Sequence, residues 1–431
     1  MSATSDLLDF AQAEHRLRPT TRAAAVRLLG DTLGVGAAGA MLSEPVERAA
    51  SAWGSGDDAR LIGLGHRLPA PSAAFVNGFR IHCLEWDSVH AGAVVHALSV
   101  VTAALGAAID RRGGCDAEDA VSALAVGVDI AAGLGLAGTG AMRFFRPATA
   151  GVIGAALAVA RIQGSGRFAD VLGLAYSQAA GTMQAHVEGS VALPLQIGNA
   201  ARAALTAVDL AATGLRGPQD ALEGAFGYFQ LFEEGALPRY TESMGSDWLI
   251  EEVSTKPYPS GRASHAVLGT LDALLSEGEI IQDEIASIEA HMPPLIRRLV
   301  DRPMAPDMTP SYARLCLPWL TALMLSDSRI DPRRFTSENF ASMASRAGAS
   351  LLSVLPDENS DPNALEPQRV IIRLKDGRRI DRQVEQMLGS PEAPMSSTQA
   401  AAKRELVEEL AGDVPDRRLL DDPLAYFTVP R

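Results

Sequence analysis

The long apolar segments between residues 1 and 254 constrain the fold of this chain more than any other feature. They consist mainly of Ala, Leu, Gly and Val, and several of them lack a wide polar face. A helix that is apolar around most of its circumference is buried inside a bundle, so we predict a large helical-bundle domain. The predicted helices cover residues 20–41, 97–111, 117–137, 149–163 and 200–213.

The composition changes after residue 254. Strands are predicted at 285–291, 369–374 and 378–384, and the Asp376-Gly377 pair between the last two is typical of a type I′ hairpin. Helices are predicted at 312–327, 337–352 and 398–411. The fold class is therefore mainly α with a smaller α/β (α+β) domain. We predict a helical domain over residues 1–254 and 395–431, and an α/β lid domain with an antiparallel sheet over residues 255–394.

The overall charge and the cysteines limit the possible partners. A net charge of −14 leaves no basic stripe to neutralise phosphates, which argues against nucleic acid. Cys83, Cys115 and Cys316 fit neither a disulfide framework nor a zinc motif, and they indicate a reducing compartment. The N-terminus lacks the pattern of a signal peptide, and the most membrane-like stretch, 121–140, contains Asp129. We predict a cytoplasmic protein without a membrane partner.

Residues 73–96 carry the strongest chemical signal. They read AAFVNGFRIHCLEWDSVHAGAVVH and contain three of the eight histidines, His82, His90 and His96, beside Glu85 and Asp87. An imidazole titrates near neutral pH, and a neighbouring carboxylate holds it in one tautomer or protonation state. This is the equipment of a general acid or base, so the segment indicates catalysis.

Lysine is rare in this chain, with only Lys256, Lys375 and Lys403. Because Arg is the usual cation here, a retained Lys indicates a point charge or a proton donor of particular size. We predict this role for Lys256, with Tyr258 close to it along a loop stiffened by prolines. Lys375 is expected at a solvated hairpin turn and Lys403 on a solvated helix face.

An ordered series of motifs resembles the MmgE/PrpD family. Residues 73–90 are similar to the family pattern AAFxNGxxAHxLDFDDTH, and 256–265 to KPYPxxRxxH. Weaker similarities lie between and after them, at residues 145–156, 177–181, 189–190, 198–202, 223–229 and 373–378. The agreement covers nearly the whole chain in order.

The resemblance implies a helical domain, a smaller lid domain, a homodimer and an active site between the domains. It also implies a small carboxylate substrate, a carbanion formed beside a carboxylate, and no metal or organic cofactor. The catalytic residues expected on this basis are His96, His265, His90, Asp87, Lys256 and Tyr258. His82 is expected only to pack. His186 and Glu188, just before the motif at 189–190, are further polar groups near the presumed pocket, for which an exposed loop position is expected. His15, His66 and His291 are expected at the surface or in loops.

Several positions depart from the family pattern. Leu193 and Gln196 stand where the family has Lys and His, and a further histidine is replaced at Phe145 or Arg146. Lost cationic groups weaken the binding of a tricarboxylate, so we expect a substrate with fewer carboxylates or with an apolar portion. The expected substrate-binding residues are Glu85, Arg146, Leu193, Gln196, Arg202 and Arg262.

The leading hypothesis is a cofactor-independent lyase, specifically a dehydratase (hydro-lyase). His96 or His265 would remove a proton next to a carboxylate, and Lys256 with an arginine would stabilise the enediolate. Decarboxylation and epimerisation are alternatives within the family. A more distant alternative is a non-catalytic binding protein. A metalloenzyme with His82, His90 and His96 as ligands is disfavoured.

Overall fold

The computed structural model describes residues 2–63, 65–412 and 418–428. The first part of the chain is almost entirely helical. Its helices are α1 (Ala3–Gln12), α2 (Pro19–Gly39), α3 (Glu44–Ser51), α4 (Ala70–His82), α5 (Ala97–Arg112), α6 (Ala117–Leu136), α7 (Arg146–Thr149), α8 (Gly151–Ile162), α9 (Phe168–Tyr176), α10 (Gln184–Glu188), α11 (Ala192–Ala212), α12 (Tyr228–Leu231) and α13 (Pro238–Thr241). Its strands are β1 (Ala59–Arg60), β2 (Arg67–Leu68), β3 (Val89–His90) and β4 (Val253–Ser254).

The later part of the chain mixes helices with a sheet. Its elements are α14 (His265–Ser276), β5 (Ile285–Met292), α15 (Pro294–Val300), α16 (Pro310–Ala313), α17 (Leu317–Asp327), α18 (Ser337–Ala341), α19 (Met343–Ala349), β6 (Leu352–Pro356), β7 (Gln368–Leu374), β8 (Arg379–Val384), α20 (Ser397–Ala411) and α21 (Arg418–Asp421). The predicted class, mainly α with a smaller α/β part, is confirmed.

Small residues let the central helices approach closely. A Cβ placed on Gly154 of α8 would lie 2.2 Å from the carbonyl oxygen of Gly127 on α6. A Cβ on Gly78 of α4 would lie 3.0 Å from the Cα of Gly198 on α11. Interiors are close-packed, so larger side chains at these points would push the helices apart.

Two of the helices, residues 19–42 and α6, are long and apolar enough to cross a membrane by length and composition alone. Most of the first and nearly all of α6 are buried within this protein. Asp129 of α6 accepts hydrogen bonds from Tyr240 Oη at 2.7 Å and from the Leu249 amide at 2.9 Å. Both helices therefore have the surroundings of core helices of a bundle.

The four-stranded sheet has the order β6-β5-β7-β8. β5 pairs antiparallel with β7 and β7 with β8, as the sequence predicted. β6 pairs parallel with β5, which the sequence did not predict, because residues 337–352 read as one helix. In the structure Ser342 has extended backbone and caps a second short helix, and the chain enters β6 at Leu352.

The hairpin between β7 and β8 forms where it was predicted, but the type I′ assignment was wrong. A type I′ turn needs positive φ at both central residues. Gly377 has φ +92°, whereas Asp376 is not among the residues with positive φ. The Leu374 amide donates to the Arg378 carbonyl, so residues 375–377 form a three-residue loop.

Two large clusters of buried apolar side chains organise the molecule. One extends from Leu7 to Val253 and includes Tyr426 and Phe427. The other extends from Tyr258 to Met387 around the sheet. The first core includes Val253 of β4, and the second begins at Tyr258, so Lys256 lies between them in the chain. The segment that carries this lysine therefore lies between the two cores.

Helix α20, which follows the sheet, packs back against α2 of the first part of the chain, as predicted. Lys403 of α20 does not lie on a solvated face, contrary to the prediction. It is buried, forms an ion pair with Asp31 of α2, and lies 5.4 Å from the centre of the Trp86 ring. The apolar stem and charged head of this lysine join α20 to the segment that carries the catalytic candidates.

Replacing Lys403 with Met should therefore destabilise the protein, because it leaves the Asp31 carboxylate buried without its cation. Breaking a buried ion pair by removing one partner costs about 3–5 kcal/mol. Lys375 is the matched control, because it is exposed and its ammonium donates to a backbone carbonyl, that of Asp283, rather than to a buried carboxylate. Chemical denaturation should show the loss for Lys403→Met and a change below about 0.5 kcal/mol for Lys375→Met. Equal effects would contradict this account of Lys403.

Candidate active site

A short antiparallel ribbon brings two distant segments together. β3 pairs with β4 so that Val89 lies opposite Ser254 and His90 opposite Val253. Trp86, just before β3, donates its indole N–H to the Pro257 carbonyl at 3.1 Å. This register places Lys256 directly beside residues 85–87.

The chain then reverses so that His96 returns to the same place. The amide and carbonyl groups of His90 and Val95 pair with each other, and Val94 takes the left-handed conformation with φ +53°. His96 follows as the residue immediately before α5. Ser99, one turn into that helix, points to the same carboxylate as His96.

That carboxylate belongs to Asp87, which is completely buried and forms the centre of the site. Its Oδ2 lies 2.9 Å from His82 Nδ1 and 3.0 Å from His96 Nδ1, and it accepts a hydrogen bond from Ser99 Oγ. Its Oδ1 lies 3.8 Å from Lys256 Nζ. The two imidazole rings are edge to face, with centroids 4.8 Å apart.

Lys256 is also fully buried and faces a second carboxylate. Its ammonium donates to the Glu85 carbonyl at 2.8 Å and to Glu85 Oε2 at 3.3 Å. Glu85 Oε1 lies 3.4 Å from His82 Nε2, and the Glu85 backbone has φ +54°. Positive φ is costly for a residue with a Cβ, and such strain is held where surrounding contacts over-determine the conformation.

The two histidines on Asp87 differ in their electrostatics. Burial lowers the pKa of both, but for His82 the charges of Asp87 and Glu85 outweigh burial and raise the pKa above its ordinary value. For His96 burial and the charge of Lys256 prevail over Asp87 and lower the pKa. Burial by itself would raise the pKa of Asp87, but the two histidines hold it well below the ordinary value.

The pair therefore combines a His82 whose pKa is raised with a His96 whose pKa is lowered, on one carboxylate. Groups whose environments separate their pKa values in this way are suited to act as acid and base. The direction of the two shifts makes His82 the better proton donor of the pair and His96 the better proton acceptor.

Both histidines line a mostly apolar cavity between the two cores. The other polar side chains that line it are Glu85, His186 and Arg262. Its apolar lining includes Val89, Phe145, Met183, Leu193, Leu299, Leu315 and Leu365. A concave, largely apolar site with a few converging polar groups is typical of a small-molecule site.

Of the predicted substrate-binding residues, Glu85, Leu193 and Arg262 line this cavity. The Arg262 guanidinium also donates to the carbonyls of Leu388 and Met387, at 2.6 and 3.0 Å, and burial lowers its pKa to about 10.

Three predicted substrate-binding residues lie outside the cavity, and these predictions need correction. Arg146 is locked in a buried pair with Glu233, with N–O distances of 2.6 and 2.9 Å. Arg202 stacks on Trp53, 4.4 Å from the ring centroid. Gln196 packs against Gly181. The two arginines are thus held by partners that are distant in the sequence, and none of the three side chains faces the cavity.

Of the six predicted catalytic residues, His96 lines the cavity and the other five do not. Asp87 and Lys256 contact the lining residues His82, His96 and Glu85 from behind, whereas His90, Tyr258 and His265 have other partners. His90 accepts from the Ala93 amide at 3.1 Å, and its Nε2 lies 3.2 Å from Glu252 Oε2, so it stabilises the turn before His96. Tyr258 donates to Asp272 Oδ2 at 2.7 Å. His265 is buried behind Tyr258, with ring centroids 5.3 Å apart. Burial, Arg262 and Lys256 hold the pKa of His265 well below its ordinary value.

Two cavity residues were missed by the sequence reasoning. His82 was expected only to pack, and His186 was expected in an exposed loop, yet both are buried at the cavity. The spacing of His82 three residues before Glu85, at the end of a helix, was an available signal. For His186 the motif at 189–190 indicated a position near the pocket, but its burial had no signal, because its partner is far away in the sequence.

His82, Asp87 and His96 also have the spacing of a possible metal site, with ligand atoms within 4.8 Å of one another. The donor set argues against a cation there, because Asp87 already faces two imidazoles, the Ser99 hydroxyl and the Lys256 ammonium. A divalent ion would add charge beside an existing buried cation.

Together, the fold and the site define a class of protein: a helical bundle joined to a smaller α/β part, with a buried histidine–carboxylate–lysine cluster between their cores. Comparison with family models identifies the class. The model described as the MmgE/PrpD N-terminal domain matches residues 8–241, and that described as the MmgE/PrpD C-terminal domain matches residues 258–421. The chain belongs to the MmgE/PrpD family, which confirms the resemblance.

Curated relatives are named cis-aconitate decarboxylase. The Homo sapiens protein is 32% identical over 215 residues, which are 47% of this chain and 44% of that protein. The Mus musculus protein is 29% identical over 294 residues, 64% of this chain and 58% of that protein. The Aspergillus terreus protein is 26% identical over 385 residues, 83% of this chain and 78% of that protein. The match thus spans about half the length of the two mammalian relatives.

The pKa values of His82 and His96 are shifted in opposite directions, which gives a direct prediction. In an NMR titration of the histidine-labelled protein, His82 should titrate above and His96 below the ordinary histidine pKa of about 6.5. Asp87→Asn should lower the pKa of His82, because it removes the negative charge that stabilises the imidazolium.

The control variant is Glu252→Gln, which removes the carboxylate beside His90 outside the cavity. It should leave the titrations of His82 and His96 unchanged. A His82 pKa that does not respond to Asp87→Asn would contradict the assignment.

Proposed function

We propose that this protein is a cofactor-independent lyase that acts on a small carboxylic acid, and that it catalyses a decarboxylation. The observation that carries the proposal is the buried Asp87 carboxylate, with His82 and His96 on one of its oxygens, their pKa values shifted in opposite directions, and Lys256 beside it. The names of the relatives favour decarboxylation over the dehydration that we predicted from the sequence.

In the proposed decarboxylation, the bond between carbon and the departing carboxylate breaks and carbon dioxide leaves. The electron pair passes to the remaining acid as an enediolate, which the charges of His82 and Lys256 stabilise. His82 then donates its proton to the carbon and is reprotonated from solvent. The apolar cavity excludes water and so strengthens these interactions.

Dehydration is the second candidate, and the neutral His96 supports it. A base beside the cavity would remove the proton next to a carboxylate, and His82 would protonate the departing hydroxyl. Epimerisation has less support, because it needs an acid and a base on opposite faces of one carbon. Both rings here contact the same oxygen of Asp87.

A non-catalytic binding protein also has less support. Such a protein has no need of His96 and Lys256 converging on one buried carboxylate, as they do here. His265, which we expected to share this site, does not join them.

The cavity favours a substrate with few carboxylates. Arg146 is neutralised by Glu233 and Arg202 lies elsewhere, so Arg262 is the arginine left to face a carboxylate among the predicted ones. Leu193 and Phe145 present an apolar wall where the family pattern has charged or polar groups. We therefore propose an acid with an apolar portion.

The arrangement of the whole enzyme is also a proposal. We propose a homodimer in the cytoplasm, without metal, nucleic-acid or membrane partners. We further propose that residues 255–394 act as a lid over a helical domain of residues 1–254 and 395–431.

A proton NMR time course in deuterium oxide tests the reaction. The panel contains cis-aconitate, citrate-like, malate-like and substituted succinate acids. Decarboxylation should release carbon dioxide and leave one deuterium on the product, whereas dehydration should release water. Lys256→Met and His82→Gln should each lower kcat by about 10²–10⁴, the usual size of an acid–base or charge contribution.

His66→Gln is the matched control, because His66 is exposed and lies outside the cavity. Its rate should equal that of the unaltered protein, and EDTA should leave every rate unchanged. A folded protein that converts none of these acids, or whose rate survives both site substitutions, would contradict the proposal.

A further inference from the structure

His186 is a buried, cavity-lining group that the proposed reaction does not use. It lies on α10, and the residues that follow tie this segment to the second core. Gly189 takes the left-handed conformation with φ +63°, and its carbonyl accepts from Thr309 Oγ1 at 2.9 Å. A Cβ on Gly189 would lie 2.4 Å from the Cα of Tyr312. The position of His186 is thus set by both cores.

Arg302 fixes the orientation of the His186 ring. Its Nη2 donates to His186 Nδ1 at 2.8 Å and to the His186 carbonyl at 2.5 Å. The guanidinium is itself held, because its Nε donates to the Leu299 carbonyl at 3.1 Å and it lies 5.2 Å from the centre of the Tyr312 ring. The arginine is buried, so this contact is shielded from water.

The contact also determines which ring nitrogen carries the proton. A guanidinium only donates hydrogen bonds and stays protonated, so His186 Nδ1 must accept. An imidazole that accepts at Nδ1 is neutral and carries its proton on Nε2. No partner for Nε2 is found among the residues that the structure describes.

The surrounding charges agree with a neutral ring. Burial comes first and Arg302 second among the causes that lower the pKa of His186 to about 3. Arg298 and His82 act in the same direction, and Glu85 opposes them. His186 therefore differs from His82, which shares the cavity but has a raised pKa.

We infer that His186 is a fixed neutral hydrogen-bond donor that binds a carboxylate or hydroxyl oxygen of the substrate through Nε2–H, with Arg302 as the positioning residue that sets its tautomer. This inference rests on the proposed function for the identity of the ligand, but not for the tautomer. A neutral donor orients an oxygen atom without adding charge to a cavity that His82 and Arg262 already line. It suits the substrate with few carboxylates proposed above.

The tautomer is tested on the whole protein labelled with ¹⁵N-histidine. Long-range proton–nitrogen spectra should show His186 neutral with its proton on Nε2 from pH 5 to 9, identified as the signal missing in His186→Gln. Arg302→Leu should allow both tautomers and move the pKa of His186 toward the ordinary value of about 6.5. If Arg302→Leu does not fold, Arg302→Lys is tested in its place. It keeps a cation beside the ring and should therefore keep the ring neutral. A protonated ring, or a proton on Nδ1, in the unaltered protein would overturn the inference.

The ligand contact is tested by adding the acids of the panel to the labelled protein and by kinetics. Binding should shift the His186 Nε2 signal. His186→Gln retains a donor near this position and should keep most of kcat/KM, whereas His186→Leu should lose about tenfold, the size of one hydrogen bond. Equal kcat/KM for the two variants, or an unmoved Nε2 signal at saturating acid, would overturn the contact. If no acid is turned over, the proposed reaction fails, while the spectra still decide the tautomer and the contact.

Discussion

The buried carboxylate of Asp87 is the interaction on which the site depends. An ionised carboxylate without partners is very costly in a protein interior, so its surroundings must supply charge and hydrogen bonds. Here His82, His96, Ser99 and Lys256 supply them from three separate segments of the chain. The same contacts that stabilise Asp87 also separate the pKa values of the two histidines, so structural stability and chemical function share one cause.

The fold around this cluster leaves little freedom in its geometry. The β3–β4 ribbon fixes the register between His90 and Val253, which determines where Lys256 lies. The second core then closes the cavity with residues such as Leu299 and Leu365. Because each core supplies part of the lining, neither half of the family pattern would be sufficient to build the site alone.

Much of the fold could be predicted from the sequence, and the reasons are physical. Buried helices such as α6 are recognisable as long, local runs of apolar residues, and the β7–β8 hairpin is marked by its glycine. The family motif likewise located Asp87, His96 and Lys256, which do converge.

The predictions that failed depended on partners that are distant in the sequence. The predicted role of Arg146 in substrate binding is wrong because Glu233, which is distant in the sequence, neutralises it. The predicted exposure of His186 is wrong because Arg302, which orients its ring, is distant in the sequence and cannot be recognised as its partner there. Lys403 was expected in solvent because Asp31 was not visible as its partner.

The most direct test of the central claim is a double-mutant cycle on Asp87 and His82, measured as the free energy of unfolding at pH 7. If Asp87 and a cationic His82 stabilise each other, Asp87→Asn and His82→Gln should be strongly non-additive. Contacting groups in one network show coupling energies of about 0.5–3 kcal/mol, and this buried pair should lie in the upper half of that range. Additivity within about 0.3 kcal/mol would mean that the two residues act independently, and would contradict the central role of the Asp87 carboxylate in holding His82 as a cation.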